Sequence, residues 1–462
     1  MEKEQKKRDK RFEIDMVRGP VLLKMLKFTL PLMLSSILQL LFNAADIIVV
    51  GKFAGDNSLA AVGSNSALVS LLTNLFVGLS VGANVVVAKY YGGRRQRELS
   101  DTVHTTMLLS LISGVALTVI GVVLSRYFLI WMGTPDEVLP LATEYLRIYF
   151  LGMTGMMVYN FGGAILRAIG DTKRPLYYLA FSGCVNVGLN LFFVISLKMD
   201  VAGVGAATAI SQWISAVLIL QCLCREQSDI RLDLRHLRLH GDKVMAILRI
   251  GLPAGVQGLI FSLTNVLVQA SVNSFGATVV AGSSAAANIE GFIYFAMNSF
   301  YQATISFTSQ NVGAKRIKRI DKILGRGEMC VIAVGLVMGG LAVLFGRQLL
   351  GIYTSSAAVI DAGMERLRII AMTYALGGAM DVMVGALRGM GYSIIPMIVT
   401  LVGGCGLRVF WILTIFQIPA LHTVEMLFLT YPVTWAVTLT GHIVTFFIAR
   451  KKLRERAIAR QL

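Results

Sequence analysis

Residues 166–175 read Leu166-Arg167-Ala168-Ile169-Gly170-Asp171-Thr172-Lys173-Arg174-Pro175, and residues 387–396 read Leu387-Arg388-Gly389-Met390-Gly391-Tyr392-Ser393-Ile394-Ile395-Pro396. Leu-Arg, Gly and Pro recur at one offset, 221 residues. The same shift places Gly92 on Gly313, Arg95 on Arg316, Glu144 on Glu365, Leu146-Arg147-Ile148 on Leu367-Arg368-Ile369, and Gly183-Cys184 on Gly404-Cys405. With a slip of one residue, Leu30-Pro31 falls on Leu252-Pro253 and Asn43 on Asn265. Apolar helices resemble one another in Leu and Val, but these matches include Arg, Glu, Pro and Cys, so the chain is an internal duplication.

The segments around those matches are apolar. Of 462 residues, 55% are hydrophobic and 15% charged, a balance that excludes a soluble globular core. Long apolar stretches run at roughly 25–51, 57–90, 102–124, 139–166, 175–197, 201–224, 244–275, 279–311, 325–346, 361–387, 394–417 and 423–449. A bilayer crossing takes about 20 residues, so these are twelve transmembrane helices, and too little chain remains for an enzyme domain. The predicted fold is an all-α membrane protein of two six-helix lobes. Six is even, so both lobes enter the bilayer from one side and are related by a pseudo-two-fold axis along the membrane normal. The predicted boundaries are an N-terminal tail 1–24, an N-lobe 25–224, a linker 225–243, a C-lobe 244–449 and a C-terminal tail 450–462.

The net charge of +17 is an orientation signal and does not point to nucleic acid. Lys and Arg concentrate in the N-terminal tail, Gly92-Gly93-Arg94-Arg95-Gln96-Arg97, Asp171-Thr172-Lys173-Arg174, the linker, Lys315-Arg316-Ile317-Lys318-Arg319 and Arg450-Lys451-Lys452 onward. They alternate with loops poor in both, such as Thr134-Pro135-Asp136-Glu137. Basic loops face the cytoplasm, which puts both termini inside. The polar first 20 or so residues carry no small-residue cleavage site, so the first span is read as retained. The five cysteines lie in apolar helices as packing residues. The five histidines form no metal-binding spacing, His236 and His240 being an i, i+4 pair in the linker.

The chain resembles the multidrug and toxic compound extrusion (MATE) family, looking closest to its DinF-like prokaryotic branch, from about Leu26 to Ala449. The resemblance rests on Pro31, Asn43-x-x-Asp46, Val50-Gly51-Lys52-Phe53-x-Gly55 and Leu59-Ala60-Ala61-Val62-Gly63. It continues through residues 166–175, Asn186-x-x-x-Asn190, Val201-Ala202-Gly203-Val204-Gly205-Ala206-Ala207-Thr208 and Gln310-Asn311-Val312-Gly313-Ala314. It implies a secondary antiporter of the cell's inner (plasma) membrane, exporting small organic, often cationic, compounds in exchange for H+ or Na+, as a monomer in the lipid bilayer and without a cofactor. No G-x-x-x-x-G-K-[ST] nucleotide loop is present. Carried over residue by residue, the family's N-lobe cation site falls on Asp46, Asn186, Asn190 and Thr208. At Asn190 the chain departs, an amide standing where some relatives have a second carboxylate; a single charge favours H+ over Na+.

Depth agrees with that set. At 1.5 Å per residue, Asp46 lies roughly 22 Å from Pro31, Asn190 about the same from Pro175, and Thr208 about 10 Å in from the outer end of its helix. An aspartate inside a span costs about +2.5 to +3.5 kcal/mol on insertion scales, so it is retained to pair, protonate or bind. For the two asparagines, hydrogen bonding between helices is an equal alternative, and for Thr208 a bond to its own helix backbone. In the C-lobe, Glu290 and Arg408 each lie about 18 Å from a helix end and are expected to pair with each other, as a structural ion pair or a second site. Asp381, about 10 Å from Arg388, suits helix packing or a cytoplasmic gate as well as a substrate contact.

Two other functions compete. A flippase or exporter of lipid-linked oligosaccharide or polysaccharide keeps the fold but needs clustered cations for phosphates, and Arg408 is the one Lys or Arg placed deep by this arithmetic. An intramembrane enzyme such as an acyltransferase needs a His, Ser or carboxylate constellation at one depth, and none occurs.

Overall fold

The computed structural model describes residues 12–54 and 56–459. Residues 1–11 of the N-terminal tail, Gly55 of the first motif and residues 460–462 lie outside the described residues, as does the side chain of Leu59. Among the described residues there is no strand. In chain order the helices are α1 (Val21–Phe53), α2 (Asp56–Gly92), α3 (Gln96–Trp131), α4 (Leu139–Phe150), α5 (Met153–Ala168), α6 (Lys173–Leu191), α7 (Asp200–Arg225), α8 (Gly241–Asn273), α9 (Ala277–Gly313) and α10 (Ile317–Leu344). There follow α11 (Gly346–Gly351), α12 (Ala357–Gly389), α13 (Ile394–Thr400), α14 (Leu407–Leu413), α15 (Val424–Phe428) and α16 (Thr430–Ala459).

Ten segments are long and apolar enough to cross a bilayer, and α4 with α5, bent by 44° at Leu151-Gly152, form an eleventh. The twelfth is α9, 37 residues long but rich in Ser, Thr, Asn and Gln. The polar side chains of its second half mostly point inward: Ser299, Thr304, Ser306, Thr308, Ser309, Gln310 and Asn311 are all buried.

The duplication is visible in the backbone. Helices α2 and α9 begin and end 221 residues apart. Pro31 and Pro253 both lie inside 33-residue helices, where a missing N–H opens the hydrogen-bond ladder. Left-handed residues recur at the same offset in two loops: Arg94 (φ 53°) and Lys315 (φ 57°), then Gly170 (φ 97°) and Gly391 (φ 90°). At Gly170 the demand is double, since a Cβ would also lie 2.6 Å from Ile14 N.

Close contacts divide the chain into two compact units that do not follow the sequence boundaries. Unit 1 comprises residues 1–15 and 34–255, unit 2 residues 16–33 and 256–462. The first part of α8 thus belongs to unit 1 and the first part of α1 to unit 2. In unit 1, Gly78-x-x-x-Gly82 of α2 meets Gly251-x-x-x-Gly255 of α8. A Cβ on Gly82 would lie 2.7 Å from Gly251 N, and one on Gly251 2.6 Å from Leu79 Cα. Two helices touch backbone to backbone there, as small-residue spacing permits in membranes. In unit 2 the first part of α1 is held by aromatic packing, Phe28 meeting Phe307 edge-on at 5.7 Å. Asn311 Nδ2 also donates to Met16 O at 3.1 Å.

The linker packs against unit 1. Leu232 is buried and Asp233 N donates to His104 Nε2 at 3.1 Å. The Asp233 carboxylate lies below its ordinary range because the Arg235 backbone N–H and the His236 side chain hydrogen-bond its charged form.

Candidate functional site

In unit 1 a ring contact sets the register of two helices. Gly183 of α6 has no side chain where Phe42 of α1 inserts its ring. One turn beyond Phe42 on α1 is Asp46; one and two turns beyond Gly183 on α6 are Asn186 and Asn190. The Asn190 amide donates to Asp46 Oδ1 and lies 3.3 Å from Asn186 Oδ1. Asn186 Nδ2 donates to Thr208 Oγ1 of α7 at 3.4 Å, and Thr208 Oγ1 lies 3.5 Å from Asp46 Oδ2. All four residues expected from the sequence therefore close one hydrogen-bonded ring. The Thr208 hydroxyl also reaches Val204 O of its own helix at 3.0 Å.

The ring contains one formal negative charge. Among the described residues no Lys, Arg or His forms a salt bridge with Asp46. Asn186 and Asn190 are buried, and Asn190 Oδ1 is buried without a hydrogen-bond partner among the described residues. The acceptors facing one another are all oxygens, a set suited to a proton or a hard cation. Tyr145 and Tyr149 of α4, rings 5.7 Å apart, lie within electrostatic range of Asp46. Sequence reading missed them; their i, i+4 spacing beside the Arg147 motif was the available signal. Immediately after Asn190, α6 passes into a π-helical turn, Phe192–Ser196, a local distortion that recurs at functional sites.

A hydroxyl has one proton. Thr208 can donate to Val204 O or to Asp46, not to both at once. With Asp46 ionised, the carboxylate takes the donors of Asn190 and Thr208. With Asp46 protonated, its own O–H can donate to Thr208, whose proton then returns to Val204 O. Two protonation states thus correspond to two hydrogen-bond directions in one set of atoms.

In unit 2 the expected partnership is corrected. Glu290 of α9 pairs with Arg366 of α12, not with Arg408. Arg366 Nε meets Glu290 Oε1 at 2.9 Å and Nη2 meets Oε2 at 2.8 Å, while Nη1 donates to Ser283 Oγ at 2.7 Å. The cause is helix register. Gly282 lets α9 approach α12 so closely that a Cβ there would lie 2.7 Å from Gly363 N, and this lays Ser283 and Glu290 along the face carrying Arg366. Arg408 of α14 turns to α16 instead: Gly403, in the π-helical stretch Leu401–Gly406, packs on Thr438. Nη2 donates to Thr434 Oγ1 at 3.2 Å and the guanidinium lies 4.1 Å from the Tyr431 ring centre. Arg408 is also not alone at depth, since Arg366 is buried too.

Asp381 of α12 stands in a third place. Its charged neighbours are Arg388 and Glu328 of α10, and Gly327 brings α10 against Val382 beside it. Glu328, another ionisable residue within a span, was not singled out from the sequence. Arg388 itself donates to Tyr301 and to Gln257 Oε1 at 2.8 Å.

The MatE family model matches residues 31–192 and again 253–412, beginning in each repeat at the helix proline. The chain belongs to the MATE family. This MATE protein is 26% identical over 389 residues to the probable multidrug resistance protein YoeA of Bacillus subtilis, covering 83% of this chain and 84% of that one. It is 25% identical over 385 residues to the probable multidrug resistance protein NorM of Thermotoga maritima, with 82% of each covered. Among solved structures it is similar to a crystal structure of MATE in the bent conformation, with TM-score 0.86, 22% identity and 96% and 98% of the two chains covered. An outward-facing MATE transporter of the MOP superfamily matches with TM-score 0.84, 23% identity and 96% and 97% coverage. The fold is therefore the two-lobe MATE fold, and the chain is a multi-pass membrane protein of a multidrug efflux transporter family.

Proposed function

We propose that this MATE protein is a proton-coupled secondary antiporter that exports small organic compounds, cationic ones among them, by alternating access of its two lobes. It works as a single chain in the plasma membrane with both termini cytoplasmic, an orientation supported by the alternation of basic and neutral loops. The reading is carried by one observation: an aspartate within a span, without a basic partner among the described residues, whose ring of amides and hydroxyl has two hydrogen-bond directions.

Facing outward, a proton from outside neutralises Asp46 and removes the charge that holds a cationic cargo. Facing inward, the proton leaves and the carboxylate again attracts cargo. Proton and cargo exclude each other at one carboxylate, and that mutual exclusion is the coupling. A sodium ion is favoured less, because the ring has one formal charge and its fourth member is the amide of Asn190.

Reconstitution in proteoliposomes with separately imposed H+ and Na+ gradients tests this. Export should follow the H+ gradient and fail in Asp46→Asn. Wild-type export by Asp46→Asn would sink the coupling role and move it to unit 2. Export of oligosaccharide lipids is the weaker reading, because Arg366 is neutralised by Glu290 and, among the described residues within the spans, no second cation stands beside Arg408 to form a cluster for a pyrophosphate.

A further inference from the structure

One buried cation of unit 2 has no acid beside it. Arg408 is 1% exposed within the span Ile394–Gln417. Both oxygens of Glu290 are occupied by Arg366, and among the described residues no carboxylate lies within salt-bridge distance of Arg408. A guanidinium has five N–H donors. Here Thr434 accepts one, and Nε has no partner among the described residues. Thr434 offers only a lone pair, since its own proton is directed to Thr430 O at 2.7 Å.

Tyr431 offsets part of the cost. The ring quadrupole attracts a cation over its face, the more so when the cation is desolvated, and this recovers part of what an arginine costs within a span. The geometry of that contact matters more than its energy. A stacked guanidinium uses its face, which leaves its edge, the fork that fits two oxygens of one acid group, free in the plane. Around it stand Tyr374, Tyr431 and Trp435, with Tyr374–Trp435 rings 5.2 Å apart and Tyr431–Trp435 rings 5.6 Å apart. The residues form an unsatisfied cation beside an aromatic wall.

We propose that Arg408 anchors an acidic group of the cargo, a carboxylate, sulfonate or phosphate on an aromatic or amphiphilic body, so that unit 2 accepts anionic groups that the aspartate of unit 1 would repel. This rests on the efflux reading and narrows the substrate class at the same transporter. The Nε–H and free Nη–H edge of Arg408 takes two oxygens of the acid, and the apolar body lies against Tyr374, Tyr431 and Trp435.

The test is binding, so that it can fail separately from transport. Full-length protein in phosphatidylcholine nanodiscs is dialysed against dansylate, an aryl sulfonate, while export of ethidium under a proton gradient is measured in wild-type proteoliposomes. Saturable dansylate binding is expected, weakened at least ten-fold in Arg408→Gln. If that variant does not fold, Arg408→Lys decides: it keeps the charge but lacks the fork, and a loss of five-fold or more is expected. Wild-type affinity in whichever variant decides overturns the proposal. Absent dansylate binding alongside intact ethidium export overturns it while leaving the efflux reading in place, whereas absent ethidium export counts against the efflux reading itself. Displacement of dansylate when phosphatidylglycerol replaces phosphatidylcholine would overturn the assignment to cargo and make a lipid phosphate the occupant.

Discussion

Asp46 and its ring have no counterpart in the second repeat, where the matching stretch is Leu267-Val268 and the positions of Asn186, Asn190 and Thr208 are Leu407, Trp411 and Leu429. Conversely, Arg366 falls on Tyr145 of the first repeat, Arg408 on Val187 and Glu290 on Val69. Loops, prolines and the lengths of the first two helices survive the duplication, and so does the Arg167 and Arg388 pair, while the charges and polar groups around Asp46, Glu290 and Arg408 have diverged. The shared features are those the backbone needs in order to turn and pack. The divergent ones cost free energy inside a span, and each half retains a different set. Among the described residues Asp46 of unit 1 has no basic salt-bridge partner, and Arg408 of unit 2 has no carboxylate partner.

The largest effect that could break this contrast is at Asp46. In Asp46→Asn, gradient-driven export should fall to the level of protein-free vesicles while the protein remains monodisperse in size-exclusion chromatography; a variant that retained coupled export would make the polarity of unit 1 incidental. Next is the ion pair of unit 2. Glu290→Gln leaves Arg366 uncompensated and should cost about 3–5 kcal/mol of stability, whereas the double variant Glu290→Gln with Arg366→Met should recover most of it. Thermal unfolding in detergent reads both, and equal destabilisation of single and double variants would show that the pair is not what holds α9 to α12.

A smaller effect sharpens the packing comparison. Gly251→Val forces a side chain into the α2–α8 backbone contact and should cost about 1–3 kcal/mol. A swap such as Phe28→Leu in unit 2 should cost less by the same unfolding measurement, and the reverse order would mean that the glycine contact can relax. The smallest is Thr208→Val, which removes one hydrogen bond worth about 1 kcal/mol, or roughly five-fold in coupled export. An unchanged rate would show that the Thr208 proton stays on Val204 O throughout.

Much of this architecture was legible because membranes simplify the reading. Span count and duplication followed from sparse polar residues in apolar helices; the Asp46 set came from the resemblance to the MATE family, and depth, nearly a linear function of residue number, agreed with it. The pairing of Glu290 failed for the same reason: depth is one coordinate and the face of the helix is another. Glu290 and Arg408 were placed at similar depth, yet Gly282 turns one toward α12 and Gly403 turns the other toward α16. Arg366 was overlooked because its stem spans several ångströms, so its Cα position understates where its charge lies. The i, i+4 spacing of Tyr145 and Tyr149 was too weak a signal by itself, because aromatic residues in a span read as packing until a carboxylate is found beside them.

The exchanged helix ends set an order for biosynthesis. Residues 16–33 leave the ribosome long before their partners in unit 2, which begin at residue 256. For most of translation the first half of α1 has emerged without the aromatic and asparagine contacts that will hold it. Unit 1, by contrast, is complete once residue 255 is made, so the Gly251-x-x-x-Gly255 contact can close before any of the remaining helices exist. Contacts of such long sequence separation form late and slowly, so insertion of the protein ends with a segment synthesised near its beginning.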